Sequence, residues 1–529
     1  MEIELKFQIP PESKAPLEKF ITSKGGTSKR LRAKYFDTDA RLLARSNIAL
    51  RLRKEGHVWY QTLKVAPQAA AVVRHEDTVR LVTPPGTDPA LDTSRHSSSN
   101  QWAKFDKALR HVAASELKPL YETDIKRLSV DLRTRRGLIN YAIDTGSISN
   151  TEKETDPLLT ALGQTVEPLK LPVAEIELEL VSGSNMALIE AGIRLVRDYG
   201  VWLDVRTKSM RGDSLAKAKL IMAPAKAQSV KISDDLSLEE FFEIVRKECV
   251  RHVLVNASQL ASEEGYLPEH IHQLRVALRR FRTALKLFSR AQNFEVQTWS
   301  DQAKFLAAQL GKNRDIDAMS ESIWPELRKI NAPLVEFTAL EGMQSPALIV
   351  REGKIQSWFL ELIGRDLQSP EKNAQQNAQQ NTQSHWSAIL PIIIKWKKKC
   401  AKRAKNFASL TVEERHELRK KMKRLRYSLE FIEGECKSSK FRQFSKVLAR
   451  AQNELGTYND LQVALENYRS IVTHDPAAWF AVGWLIAQLS DCEVRCTKVL
   501  SDFTDADVPW SKAVILSQPT PLPAAASGV

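Results

Sequence analysis

The segment Glu2-Ile3-Glu4-Leu5-Lys6-Phe7 decides how the first half of the chain is read. Side chains alternate across a β-strand, so Glu2, Glu4 and Lys6 share one face and Ile3, Leu5 and Phe7 the other. The same period of two recurs outward along the chain, in residues 49–53, 59–64, 139–144 and 174–180. Gly and Pro mark the joints, as at Pro84-Pro85-Gly86 and Gly183. Charge clusters on these faces: Arg51 with Arg53, Arg74 with Glu76, and Glu175 with Glu177 and Glu179. A solvated face accounts for any one such strand. As a set, inside a closed barrel, the same residues would hold metal ions and a polyanion together. Carboxylate oxygens suit hard cations such as Mg²⁺ or Mn²⁺, and Arg forks and Lys suit phosphate. Antiparallel strands with a buried charged lining need closure to lose their edges.

The texture changes near residue 220. Beyond it, apolar residues recur every three or four positions, the period of helices. The expected architecture is α+β with two domains. Residues 1–218 form the strand-rich unit and 219–234 a linker, with Asp234 or Asp235 opening the next helix. A helical unit spans 235–512, with halves at about 235–370 and 385–512 around the Gln/Asn-rich loop 373–383, and 513–529 is a disordered tail. The helical unit repeats itself. His272–Arg282 aligns with His416–Arg426, and Leu310–Asp315 aligns with Leu455–Asp460. This spacing points to an all-α bundle of two copies of one unit.

The chain has 529 residues, 43% of them hydrophobic, and a net charge of +14. That excess predicts an anionic partner: nucleic acid, an acidic membrane surface or a phosphorylated polymer. Five scattered cysteines, Cys249, Cys400, Cys436, Cys492 and Cys496, argue against a disulfide framework. The opening lacks the basic and apolar regions of a secretory signal, and Ala477–Leu489 is too short to span a bilayer. A cytoplasmic protein with no membrane partner is expected. No Walker loop, GxSxG or HExxH supports those hydrolase classes.

The first half resembles the CYTH domain, or triphosphate tunnel metalloenzymes. Glu2-Ile-Glu4-Leu-Lys6 matches its ExExK signature. In family order follow Tyr35-Phe-Asp-Thr38, Leu50–Arg53, Gln61–Lys64, Arg74–Glu76, Asp124–Arg127, Ala142–Gly146, Glu175–Glu179 and Lys208–Gly212. The resemblance implies a closed, eight-stranded antiparallel tunnel with flanking helices that hydrolyses triphosphates with Mg²⁺ or Mn²⁺. By position it implies metal ligation by Glu2, Glu4, Glu175, Glu177 and Glu179, with Asp144 serving a second metal or orienting water. Lys6, Arg51, Arg53, Lys64, Arg74, Arg127, Lys208 and Arg211 would bind phosphates, and Glu76 would orient them. Catalysis would fall to Glu2, Glu4, Lys6, Glu76 and Asp144. Asn140 departs from the pattern, standing where many members carry a carboxylate.

In the second half, His272, Arg275, Arg279, Arg282 and Lys286 form one helical stripe, displaced by about 100° from Leu274, Leu278, Phe281, Leu285 and Phe288. His416, Arg419, Lys423 and Arg426 repeat it beside Leu418, Met422, Leu425, Leu429 and Ile432. Like charges at this spacing cost roughly a few tenths of a kcal/mol per pair. Their recurrence in both copies points to a polyanion in the space they face. The arrangement resembles the CHAD domain over roughly residues 235–510, which implies binding of inorganic polyphosphate. Nucleic acid ranks lower, because no base-stacking aromatic pattern accompanies the charge.

The leading expectation is an inorganic triphosphatase that cleaves tripolyphosphate to pyrophosphate and phosphate, carrying a polyphosphate-binding domain and associating with polyphosphate granules. An adenylate cyclase or a thiamine or nucleoside triphosphatase on the same tunnel competes with it. So does a non-catalytic polyphosphate-binding protein.

Overall fold

The computed structural model describes residues 2–66, 72–84, 87–110, 112–113, 116–151, 168–230, 236–289, 296–311, 319–335, 344–368, 385–434, 436 and 438–508, without the side chains of Val73, Arg74, Val296, Gln368, His385 and Ser387. The Gln/Asn-rich loop 373–383, the tail 513–529, Asp234, Asp235, residues 312–315 and the Arg74 side chain lie outside them.

Among the described residues nine strands build the first half: β1 (Glu2–Gln8), β2 (Thr27–Asp37), β3 (Ile48–Glu55), β4 (Val58–Val65), β5 (Val73–Leu81), β6 (Lys118–Arg133), β7 (Gly137–Asn150), β8 (Lys170–Gly183) and β9 (Trp202–Leu203). Their order is β5-β4-β3-β2-β6-β7-β8-β1-β9, and every pairing is antiparallel. The sheet thus has nine strands where eight were expected, and it is not fully closed. One edge of β1 pairs along β8, from Glu4↔Glu179 to Gln8↔Glu175. Its other edge is divided: Glu2↔Arg74 and Ile3↔Val73 meet β5, and Phe7↔Leu203 and Gln8↔Trp202 meet β9. Between them, Glu4 N donates to Val72 O at 3.1 Å and Lys6 O accepts from Asp204 N at 2.9 Å. A seven-residue strand shared between two partners cannot ladder fully with either, so the seam narrows to two residue pairs.

The outward face of β1 is as buried as the inward one. Leu5 and Phe7 are fully buried, together with Ile176 and Leu178 of β8 and Leu188, Leu195 and Val196 of the Met186–Tyr199 helix. That helix packs on the Gly353–Gln368 helix of the second half. The fit is close: a Cβ at Gly192 would meet Phe7 at 2.9 Å and Leu360 at 3.3 Å. One apolar core therefore runs through both halves of the chain.

The stretch expected to link them is tied down where it is described. Asn256 accepts from Ala225 N and donates to Ala225 O, Glu248 accepts from Gln228 N at 2.7 Å, and Val230 is buried. The following helix, Leu238–Leu260, begins later than the sequence suggested. Ser237 caps it, accepting from Glu240 N while Glu240 accepts from Ser237 N.

The two repeat helices, Pro268–Leu287 and Val412–Ile432, pack on one another. Their apolar stripes, Leu274 to Phe288 and Leu418 to Ile432, are buried as the periodicity required. All five cysteines are free. Among the described residues no helix is long and apolar enough to cross a membrane.

Candidate active site

The barrel interior encloses a cavity of about 760 Å³. Glu2, Glu4, Lys6, Arg51, Arg53, Lys64, Glu76, Arg127, Asp144, Glu177, Glu179 and Lys208 line it. Most of the sequence-predicted residues are thus brought together. Glu175 and Arg211 sit beneath the lining, with 0% and 1% of their surface exposed.

Lys208 and Arg211 reach inward from the Lys208–Leu215 helix, whose first turn is capped by Thr207 accepting from Met210 N at 2.9 Å. The helix lies against Tyr121 because position 212 is glycine: a Cβ there would meet the ring at 2.2 Å.

The carboxylates fall into two groups. Asp144, Glu175 and Glu177 offer oxygens within 4.8 Å of one another, a spacing that could hold a metal ion. Here the Lys208 ammonium lies among them, 2.7 Å from Asp144, 2.5 Å from Glu175 and 2.7 Å from Glu177. Arg127 forks onto Asp144 at 2.7 Å through Nε and Nη2 and also contacts Glu177. Burial would raise the Glu177 carboxyl, but Lys208 and Arg127 outweigh it and hold it well below the usual range. Burial likewise opposes the ionisation of Glu175, but Lys208, Lys6 and Arg211 outweigh it and hold the carboxyl below the usual range. Lys208 is raised well above an ordinary lysine, its burial outweighed by Asp144, Glu175 and Glu177.

The second group is Glu2, Glu4 and Glu179. Glu4 and Glu179 stand opposite each other across β1 and β8. Burial, and then the charge on Glu4, raise the Glu179 carboxyl. Glu2 is raised to about 7 by burial, with Glu76 and Glu4 adding to it and Lys64 opposing. Carboxylates crowded in this way, with Glu2 and Glu179 raised, fit a hard divalent cation, whose charge would relieve them.

The basic wall opposes this group. Lys64 lies 3.3 Å from Glu2 and contacts Glu76, and Arg51 lies 3.7 Å from Glu76. Despite burial, those two cations hold Glu76 well below the usual range. Asn140 donates to Asp131 at 2.7 Å. Two features were not read from the sequence, although Tyr35 stands in one of the quoted motifs. Tyr35 accepts from Arg51 at 3.2 Å and stacks on Tyr121 at 4.7 Å. Lys6 donates to the carbonyl of Arg206, a residue that no motif singled out.

In the helical half, Lys423 is pushed well below an ordinary lysine by burial, and then by Arg419, Arg279 and Arg275, with Asp460 opposing. The basic stripes of the two repeats therefore converge. His416 Nδ1 lies 2.7 Å from Asn459 Oδ1, and Arg419 lies 3.8 Å from Asp460, so the two motif blocks of the second repeat meet. Lys286 is lowered first by Arg424, then by burial, Lys399, Arg282 and Lys421, which extends the basic face beyond the predicted residues. Arg426 turns onto Glu430 of its own helix at 3.1 Å. His272 and Arg275 lie on the same helix as Arg279, on the half-buried side of it.

Comparison with known proteins bears on both halves. The model of the CYTH domain matches residues 1–201, and that of the CHAD domain matches residues 245–469. An inorganic triphosphatase of Haemophilus influenzae is 23% identical over 223 residues, 42% of this chain and 56% of that protein. The chain thus spans little more than half the length of that curated relative. Among solved structures, the CHAD domain of the plant Ricinus communis is similar at 28% identity and a TM-score of 0.40, over 53% of this chain and 96% of the other. A putative adenylyl cyclase from Hippeastrum, described as having a dominant triphosphatase activity, is 17% identical with a TM-score of 0.27, over 42% and 98%.

Proposed function

From a chain that joins a CYTH domain to a CHAD domain, we propose a metal-dependent inorganic triphosphatase that cleaves tripolyphosphate to pyrophosphate and phosphate, with a helical half that binds inorganic polyphosphate. The observation that carries the reading is the division of the cavity. The crowded carboxylates Glu2, Glu4 and Glu179 line one side, Glu2 and Glu179 raised by burial, and Arg51, Arg53, Lys64, Arg127 and Lys208 supply cations to the rest. A pure anion binder has no use for the first group.

Glu2, Glu4 and Glu179 would hold Mg²⁺ or Mn²⁺, which when bound neutralises phosphate oxygens and polarises the scissile bond. The chain's own residues do the rest. Arg51, Arg53 and Lys64 bind the phosphates as forks and a point charge. Arg127 and Lys208, held in place by Asp144 and Glu177, meet the charge that spreads over the equatorial oxygens in the transition state. Glu76, kept ionised by Lys64 and Arg51, orients those cations. Arg74 and Arg211 belong to the expected phosphate set, Arg211 acting from beneath the lining. His272, Arg275, Arg279, Arg282, His416, Arg419, Lys423 and Arg426 form the polyphosphate face, supported by the convergence of the two stripes on Lys423.

The test is phosphate release from tripolyphosphate with Mg²⁺, Mn²⁺ or EDTA, by the wild type and Glu4→Gln. Chelator-sensitive release that the variant loses, with its binding of long-chain polyphosphate intact, is expected. Undiminished release by Glu4→Gln would refute the site, and no release under either metal would refute the enzyme.

A further inference from the structure

Beneath the cavity lies a layer of buried charge that crosses from one half of the chain to the other. Arg206, 1% exposed, is gripped by Asp204 through Nε at 3.0 Å and Nη2 at 2.8 Å. Its Nη1 donates to Glu264 at 2.6 Å and to Gln259 at 2.8 Å. Glu264 also lies 3.2 Å from Arg211 Nε, and Arg211 Nη1 donates to Glu175 at 2.9 Å. Lys6 closes the layer, its ammonium attracted by Glu175 and Asp204. Three carboxylates, Asp204, Glu175 and Glu264, thus face three cations, Lys6, Arg206 and Arg211. Five of the six belong to the strand-rich half. Glu264 comes from the helical half.

We infer that Glu264 is a positioning residue of the tunnel, supplied by the helical half, that sets where Lys208 stands in the cavity. The inference rests on the triphosphatase reading. Buried cations keep their places only while their partners stay paired. Without the Glu264 charge, Arg206 and Arg211 repel each other across the layer, and Arg211 is carried on the same short helix as Lys208. Glu264 is itself firmly seated: Gln259 Nε2 donates to Gly265 O at 2.8 Å, and Gly265 takes a φ of 89°, suited to glycine. The backbone entering the helix is clamped from the same side. Leu203 N donates to Gln356 at 2.7 Å and Val205 N to Ser258 at 3.0 Å.

The experiment compares full-length wild type, Glu264→Gln and Glu264→Asp by calorimetric titration of tripolyphosphate in EDTA. Gln keeps the shape and removes the charge, whereas Asp keeps the charge on a shorter arm. A role in charge positioning orders the affinities wild type, then Asp about threefold weaker, then Gln about tenfold weaker. A Gln variant that binds like wild type overturns the inference. So does an Asp variant as weak as Gln, because shape alone would then account for the loss. Should Glu264→Gln not accumulate as folded protein, Glu264→Asp decides alone: a loss of twofold to fivefold supports the inference, and wild-type affinity overturns it. Phosphate release by the wild type with Mg²⁺ is read in parallel. Its absence refutes the triphosphatase reading, whereas release beside an unordered series refutes Glu264 alone.

Discussion

Replacing Glu2 by Gln is expected to make the fold more stable at pH 8 while changing it little at pH 5. The Glu2 carboxyl is raised from 4.5 to about 7, by burial first and then by Glu76 and Glu4, against the pull of Lys64. Below pH 4.5 it is protonated in the folded and unfolded chain alike and costs nothing. As pH rises, the unfolded chain releases its proton while the folded chain keeps it. Stability therefore falls with pH, and the loss is complete above about pH 7. At 1.36 kcal/mol per unit, the shift contains roughly 3 kcal/mol. The side chain is 18% exposed, and solvent screening reduces the figure to about 2 kcal/mol. Gln removes the titration and still offers an amide to Glu76. A unit of about 200 residues would shift by roughly 4–8 °C in Tm for 2 kcal/mol, and a chain whose halves share one core melts as a larger unit, so that range is the ceiling. Melting followed by circular dichroism in EDTA should show the variant's advantage widening by up to that amount from pH 5 to pH 8. A gap that stays constant, or one that moves in the wild type's favour as pH rises, would refute the reasoning. The same substitution should abolish turnover, so the residue that weakens the empty fold is one the chemistry uses.

Two further outcomes are expected. Arg279→Glu with Lys423→Glu should weaken long-chain polyphosphate binding at least tenfold, about 1.4 kcal/mol, and leave tripolyphosphate turnover within twofold. Filter binding and phosphate release measure the two, and binding that persists would remove the converging stripes as the site. Gly212→Ala places a Cβ 2.2 Å from the Tyr121 ring. It should cost about 1–3 kcal/mol by overpacking and lower kcat by lifting Lys208 from its three carboxylates, and an unchanged kcat and Tm would show that the helix has room.

Much of this site was legible because strands and helices print their faces at fixed intervals. Glu2, Glu4 and Lys6 could be assigned to one face from spacing alone, and the structure places all three along the cavity. The stripes headed by His272 and His416 were legible for the same reason. Asp204, Arg206 and Glu264 were not. They lie in short irregular stretches, and Arg206 meets Glu264 across 58 residues of sequence, a separation at which no period operates. The ninth strand also left no trace, since Trp202 and Leu203 are two apolar residues without alternation. Spacing placed Glu175 beside Glu177, but it could not say that one would line the cavity and the other lie beneath it.

The shared layer under the tunnel has a consequence for how such a chain can be inherited. Modules that meet at a bare linker can be shuffled by recombination, each carrying its own balance sheet of charge. Here a cut anywhere between Leu215 and Leu238 separates Glu264 from Arg206 and Arg211 and uncovers the helix that rests on Leu360. A strand-rich half transplanted onto a different neighbour would need a substitute acid at that one point, or a compensating change at Arg206. Ancestry should be traceable in that covariation, with the acid at 264 and the arginines at 206 and 211 lost or kept together.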